Sequence, residues 1–197
     1  MSGRPAYSEA TIRAFKALIC REAIKLVSER GIDGLSFRTL ASRLGCSHTR
    51  VHRYYPNRET LLWAVRDYAY GLFMRALGEG ARHAEGSVLR AIGRAYFNFA
   101  HDEPDAFVML FGSAPPADRE PGPNQRHAWK AISEPISAAV TAGHLQGDPD
   151  VLTYVFWSAI HGVTSLSLSG NFKPGVDPLE VLESTFDGLG RGHGTSR

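Results

Sequence analysis

Apolar residues recur at helical spacing through most of the chain, and strand-like alternation is scarce. Ile12, Phe15, Leu18, Ile19, Ala23, Leu26 and Val27 fall on one broad face, which predicts a helix over about 9–30. Ser8 stands at its N-cap and Gly31 at its stop. Ile32–Leu35 reads as a turn. A two-turn helix over 37–44 follows Ser36 and closes at Gly45. A second short helix, from His48 to about Tyr54, is capped by Ser47. Pro56 ends it, and Asn57 caps a long helix from Arg58 to about Leu77, after which Gly78, Gly80 and Gly86 loosen the chain. Further helices are expected near 87–101, 104–111, 124–143 (kinked by Pro135), 151–169 and 178–189. The stretch 112–123, rich in Pro, Gly and charge, reads as a mobile loop.

These elements predict an all-α fold: a three-helix domain over 1–57, a larger helical domain over 58–190, and a disordered tail over 191–197. The length of 197 residues accommodates one small and one medium domain and a real core. Hydrophobic residues at 43% and charged residues at 21% exclude a wholly disordered chain. Two cysteines make no disulfide framework and fit a reducing cytoplasm. No apolar run follows the N-terminal residues, so no signal peptide is expected.

The net charge of +2 conceals a division. Residues 1–66 hold twelve Lys and Arg against five Asp and Glu, whereas residues 67–197 hold ten against fifteen. Such asymmetry points the first part toward a polyanion. The alternative is a basic cluster on a solvated face. The pattern of short helices decides between them. Two short helices joined by Leu44-Gly45-Cys46-Ser47 form a helix-turn-helix, with Leu40, Ala41, Leu44 and Val51 spaced to bury between them. What stays outward on the second helix is His48, Thr49, Arg50, His52 and Arg53, side chains suited to base edges and phosphates. The start of that helix with Ser47 also offers free N–H groups to a phosphate. Double-stranded DNA is therefore the expected partner.

The run from Leu35 to Ser47, and then Val51-His52-Arg53-Tyr54-Tyr55-Pro56-Asn57-Arg58-Glu59-Thr60-Leu61-Leu62, resembles the DNA-binding domain of the TetR family of transcriptional regulators. Tyr96–Phe111 and Trp157-Ser158-Ala159-Ile160-His161-Gly162 resemble a C-terminal regulatory domain of that family with a Trp…His-Gly motif. The resemblance implies a ligand-responsive homodimeric repressor on a palindromic operator. Its last two long helices, here near 151–169 and 178–189, would pair across the dimer. A small molecule bound among the intervening helices would shift the helix that starts at Arg58. Thr39 corresponds to a position that often touches backbone or base, Tyr54 to one whose hydroxyl usually meets a phosphate, and Arg58 to a basic residue that does likewise. Arg38 is a further phosphate candidate. Position 49 is often Gly, position 50 Ser or Thr, and position 52 Tyr in the family, against Thr, Arg and His here. Arg50 is expected to take guanine by a two-pronged hydrogen bond. Arg38, Arg43, Arg50, Arg53 and Arg58 carry the basic charge around the motif.

His48 and His52 with Cys46 have the spacing of a zinc half-site but lack further ligands, so no metal and no cofactor is expected. Cys46 is expected to be a buried thiol. Asp102, Glu103 and Asp105 beside His101 read as helix-start acids rather than acid–base machinery, and the chain carries no catalytic motif, so no catalytic residue is named. Val151–Ser169 has no formal charge, yet its Ser, Thr and Gly content argues for a core helix with an oligomer face instead of a membrane span. Tyr96, Phe107, Phe111, Trp129, Tyr154, Trp157 and His161 are the candidates for a pocket that would suit a largely apolar or aromatic effector. His161 reads more readily as a satisfied core or interface histidine. Two other functions stay open: an effector-independent DNA-binding protein, and a small-molecule-binding helical protein that has lost DNA binding.

Overall fold

A computed structural model describes residues 8–112 and 120–194; most of the expected loop, at 113–119, and the end of the expected tail, at 195–197, lie outside them. Among the described residues the chain is all-α, with helices α1 (Glu9–Arg30), α2 (Phe37–Arg43), α3 (His48–His52), α4 (Arg58–Arg82), α5 (Val88–Asp102), α6 (Pro104–Phe111), α7 (Pro123–Thr141), α8 (Pro149–Leu168) and α9 (Pro178–His193). A short 3-10 turn at Ile32–Gly34 joins α1 to α2.

Two compact units emerge. The first takes the chain up to Ala69 together with Asp105–Gly122; the second takes Tyr70–Pro104 and the chain from Pro123 on. The cut between these units falls inside α4, of which Leu61, Val65 and Ala69 are buried.

In the first unit, Ser8 caps α1 by accepting from the Thr11 N–H. Ile19, Ala23, Ile24, Leu26 and Val27 of α1 join Leu35, Leu40, Ala41 and Val51 in the core. Leu18, expected on that face, is instead exposed: it lies about 100° around the helix from the buried Ile19, at the margin of the apolar stripe. Ser36 and Thr39 form a reciprocal capping box at the start of α2. Gly45 has φ +60°, so the turn between α2 and α3 uses a conformation that a side chain would strain. The hydroxyl of Tyr55 lies 3.7 Å from Cys20 Sγ inside this core. Burial pushes the Cys20 thiol up to about 11. The buried Arg66 of α4 donates from Nη2 to the carbonyl of Leu110, at the end of α6 (2.6 Å).

In the second unit, α8 packs against α5, α7 and α9. It is long and apolar enough to cross a membrane by length and composition. Leu152, Thr153, Phe156, Ile160, Val163 and Thr164 on it are buried among those helices, as a core helix requires. Arg90 of α5 pairs with Glu183 (2.8 Å) and Asp187 of α9, and Arg94 with Glu183. Hydrogen bonds from Arg94 and Arg90 hold the Glu183 carboxyl below the usual carboxylate range, and Arg90 does the same for Asp187.

Two boundaries differ from expectation. α4 runs through Gly78 and Gly80 to Arg82, because α5 approaches there so closely that a Cβ on Gly80 would lie 2.5 Å from Ala95 Cβ and 3.1 Å from the Ala91 carbonyl oxygen. Glycine here permits packing that outweighs its poor helix propensity. α9 likewise continues through Arg191–His193, where the expected tail begins. Gln146 N–H donates to the His193 carbonyl (2.7 Å), and Leu145 forms a bridge with Gly194. These bonds tie down a terminus that glycines alone would leave frayed.

Gly80→Ala gains about 1 kcal/mol of helix propensity but forces α4 and α5 apart at a cost of about 1–3 kcal/mol. Its thermal unfolding midpoint is therefore expected to fall, whereas Gly78→Ala, with open space at its Cβ, should raise it.

Candidate functional site

The candidate interface is α3 with its neighbours. Val51 is fully buried, and helical geometry then sets the rest. Thr49 and Arg53 point away from the core. Arg50 and Tyr54 lie on one flank, His48 and His52 on the other. Ser47, His48, Thr49, Arg50, His52, Arg53 and Arg38 are all exposed, and Tyr54 is half-buried against Phe15, ring centroids 5.3 Å apart.

The fate of each polar group separates the candidates. Arg43 is spent: its Nε donates to Glu22 (2.9 Å), and Nη1 and Nη2 grip Glu29 in a two-pronged pair (both 2.7 Å). The hydrogen bonds to Glu29, then to Glu22, push the guanidinium pKa above its ordinary value. Arg58 donates to the Leu35 carbonyl (2.8 Å) and the Ile32 carbonyl (2.5 Å), with Asp33 3.7 Å away. The Thr39 hydroxyl accepts from the Ser36 N–H (2.9 Å) and has the Ser36 and Gly34 carbonyls within 3.1 Å. These three stabilise the head internally. Arg38, Arg50, Arg53, His48 and His52 make no side-chain hydrogen bond or ion pair among the described residues, so their donors remain available to a ligand. Ser47 occupies the N-cap position of α3, but its side chain makes no cap bond. Cys46 is half-exposed, not buried, since the turn at Gly45 carries it outside the core.

No group of three or more metal-ligating side chains occurs among the described residues.

The seven residues expected at an effector pocket divide. Phe107 and Phe111, rings 4.9 Å apart, belong to the first unit; the other five belong to the second. Trp129, Tyr154 and Trp157 cluster with centroids 5.1–6.4 Å apart, and Tyr154 is exposed. Trp157 Nε1–H donates to the buried Tyr96 hydroxyl (3.3 Å), which in turn lies 2.8 Å from His161 Nδ1. Burial lowers the His161 pKa and favours the neutral imidazole.

The second unit also holds a cavity of about 880 Å³, lined by Met74, Leu77, Gly78, Ile92, Ala138, Ala139, Leu145, Phe156 and Phe186 among others, and by none of the seven. Helical spacing marks these residues only as core. The one signal that could have found the cavity is the run of small residues that lines it, Ala131, Ala138 and Ala139 on α7 and Ala142 just after its end.

Residues 19–65 match the family model for bacterial regulatory proteins of the tetR family, and residues 89–189 match that for a tetracyclin repressor-like C-terminal domain. The HTH-type transcriptional regulator Rv1816 of Mycobacterium tuberculosis is 27% identical over 195 residues, covering 81% of this chain and 82% of its own. An uncharacterized HTH-type regulator of the same organism, Rv0681, is 26% identical over 154 residues, 77% of this chain and 69% of its own. Among solved structures, a transcription regulator from Marinobacter aquaeolei superposes with a TM-score of 0.78 at 18% identity, over 95% of this chain and 100% of that one. The regulator FadR from Bacillus subtilis, solved with stearoyl-CoA, gives 0.72 at 13% identity, over 91% and 98%.

Thr39→Val removes the hydroxyl from the capping box and is expected to cost about 1 kcal/mol in urea unfolding, while Thr39→Ser retains the stability. Loss in Thr39→Ser but not in Thr39→Val would mean that the methyl group, not the cap, matters.

Proposed function

The chain belongs to the TetR family of DNA-binding transcriptional regulators, and from that premise we propose that it is a homodimeric repressor, released from a palindromic operator by a small, largely apolar effector. The observation that carries the DNA side is the exposed set of Arg38, His48, Arg50, His52 and Arg53 around α3, in the basic part of the chain, whose side chains make no hydrogen bond among the described residues. The reading domain is 1–57, with α4 leading into the regulatory domain over 58–190. Tyr54 and Thr49 complete the contact surface.

The dimer is supported by α8. Val151, Tyr154, Ser158, Gly162, Leu166 and Ser169 recur every three or four residues and are all exposed, opposite the buried face of the same helix. Small residues at its centre allow close approach of a second copy, and α9 extends the surface at Leu179. This face is the reason to read α8 as a core-and-interface helix instead of a membrane span. The Trp…His-Gly type of regulatory domain fits the same helix: Trp157 and His161 both reach Tyr96, and Gly162 lies on the dimer face. Such a protein works beside DNA in the cytoplasm and needs no catalytic group.

The effector site is the cavity of about 880 Å³, within the range of drug-sized pockets. Its mainly aliphatic wall favours it over the seven aromatic candidates, of which Tyr96, Trp157 and His161 already bond one another. Met74, Leu77, Gly78 and Ala81 place α4 on the cavity wall, and the same helix begins at Arg58 in the reading head.

A thermal-shift screen of medium-chain amphiphiles and apolar aromatics tests this. A true effector at about 100 times its dissociation constant adds about 2.7 kcal/mol to stability and dissociates the protein from DNA upstream of its own gene. Ala138→Phe, which fills the cavity, should abolish both effects. Stabilisation with the DNA complex intact would favour an effector-independent regulator.

A further inference from the structure

Two of the outward side chains of α3 do not hang free in solvent. Arg50 Cζ lies 4.3 Å from the ring centroid of Phe15 on α1. The His52 imidazole stacks on Phe37 of α2, centroids 3.8 Å apart and planes inclined by 24°. Both phenyl rings are half-buried, and Phe15 is braced in turn by Tyr54. α3 itself is only five residues long and has no side-chain cap, so it offers little rigidity of its own. The two flanks of α3 are thus each backed by a ring from another helix.

The geometry leaves the useful edges open. A guanidinium on an aromatic ring engages through its face, and its N–H donors lie in its own plane. An imidazole stacked on a ring keeps both nitrogens at its edge. Neither Arg50 nor His52 spends those edges on any protein acceptor among the described residues. These are also two of the three reading-surface positions at which the chain departs from the family pattern.

We propose that Phe15 and Phe37 are positioning residues for DNA recognition: they hold Arg50 and His52 against the flanks of α3 with their hydrogen-bonding edges presented to the duplex. A long side chain held in its bound rotamer loses less freedom on docking. For Arg50 the recognised chemistry is a pair of adjacent acceptors, either the guanine edge or two phosphate oxygens. The proposal rests on the reading of α3 as the DNA-contacting helix.

The test is a double-mutant cycle on the full-length protein, with a duplex selected by the wild-type protein from a random pool. Phe15→Leu is expected to weaken binding about fivefold, the loss of one exposed cation–π contact. Phe15→Tyr should restore it. In an Arg50→Ala background, Phe15→Leu should have no further effect. The same cycle applies to Phe37→Leu and His52→Ala. Relaxed preference at one base with Arg50→Ala assigns the guanine edge, and uniform weakening with a flatter salt dependence assigns phosphate; both support the proposal. Equal weakening by Phe15→Leu in both backgrounds overturns it, because a merely structural ring would act without Arg50. An Arg50→Ala variant with wild-type affinity instead overturns the underlying reading of α3.

Discussion

The guanidinium of Arg58 ties the first turn of α4 to the carbonyl oxygens of Ile32 and Leu35, the two ends of the turn that leads into α2. The reading head depends on that tie. The turn needs donors for its carbonyls, of which the Ile32 oxygen also accepts from the Leu35 N–H (3.2 Å). The long helix, for its part, needs a fixed starting point. One charged side chain meets both demands, and the capping box of Ser36 and Thr39 then starts α2 in a set direction. With the pair of Arg43 and Glu29 bracing α2 on α1, three of the polar groups near the helix-turn-helix are consumed in holding it together. Those left over surround α3. The same accounting of donors thus separates scaffold from reading surface.

The second unit uses the two sides of one helix in a comparable way. α8 buries Leu152, Phe156, Ile160 and Val163 against α5, α7 and α9 and leaves Val151, Tyr154 and Leu166 outward. An apolar stripe of that kind is costly to leave in water, which is the physical basis for assigning a second subunit to it. Glu183 and Asp187 of α9 pair with Arg90 of α5, which also lines the cavity bordered by the small residues of α7.

The fold was legible because its signals are local. Ser8, Ser36, Asn57 and Ser87 cap helices where the chain places them, and Gly31 and Gly45 take positive φ at the stops. Reading failed where a distant partner overrode local propensity. Gly80 lies inside α4 because Ala91 and Ala95 press against it, and Arg191–His193 stay helical next to a strand-like bridge from Leu145. The candidate site was legible in part for the same reason. Burial of Val51 follows from spacing, so the outward residues of α3 could be named. That Arg43, Arg58 and Thr39 are engaged inward depends on carbonyls and carboxylates up to 26 residues away, which periodicity does not show. The cavity was missed because an alanine that lines a void and one that fills a core look alike in sequence.

Binding to DNA releases counterions in proportion to the phosphates neutralised, so the salt dependence of the complex reads which arginines face the duplex. The direct measurement is affinity for the selected duplex across ionic strength, for the wild type and for Arg38→Ala, Arg53→Ala and Arg43→Ala. Arg38→Ala and Arg53→Ala are expected to flatten the logarithmic slope by up to about one each, and Arg43→Ala to leave it unchanged. A slope flattened by Arg43→Ala but untouched by the other two would contradict the division between scaffold and reading surface.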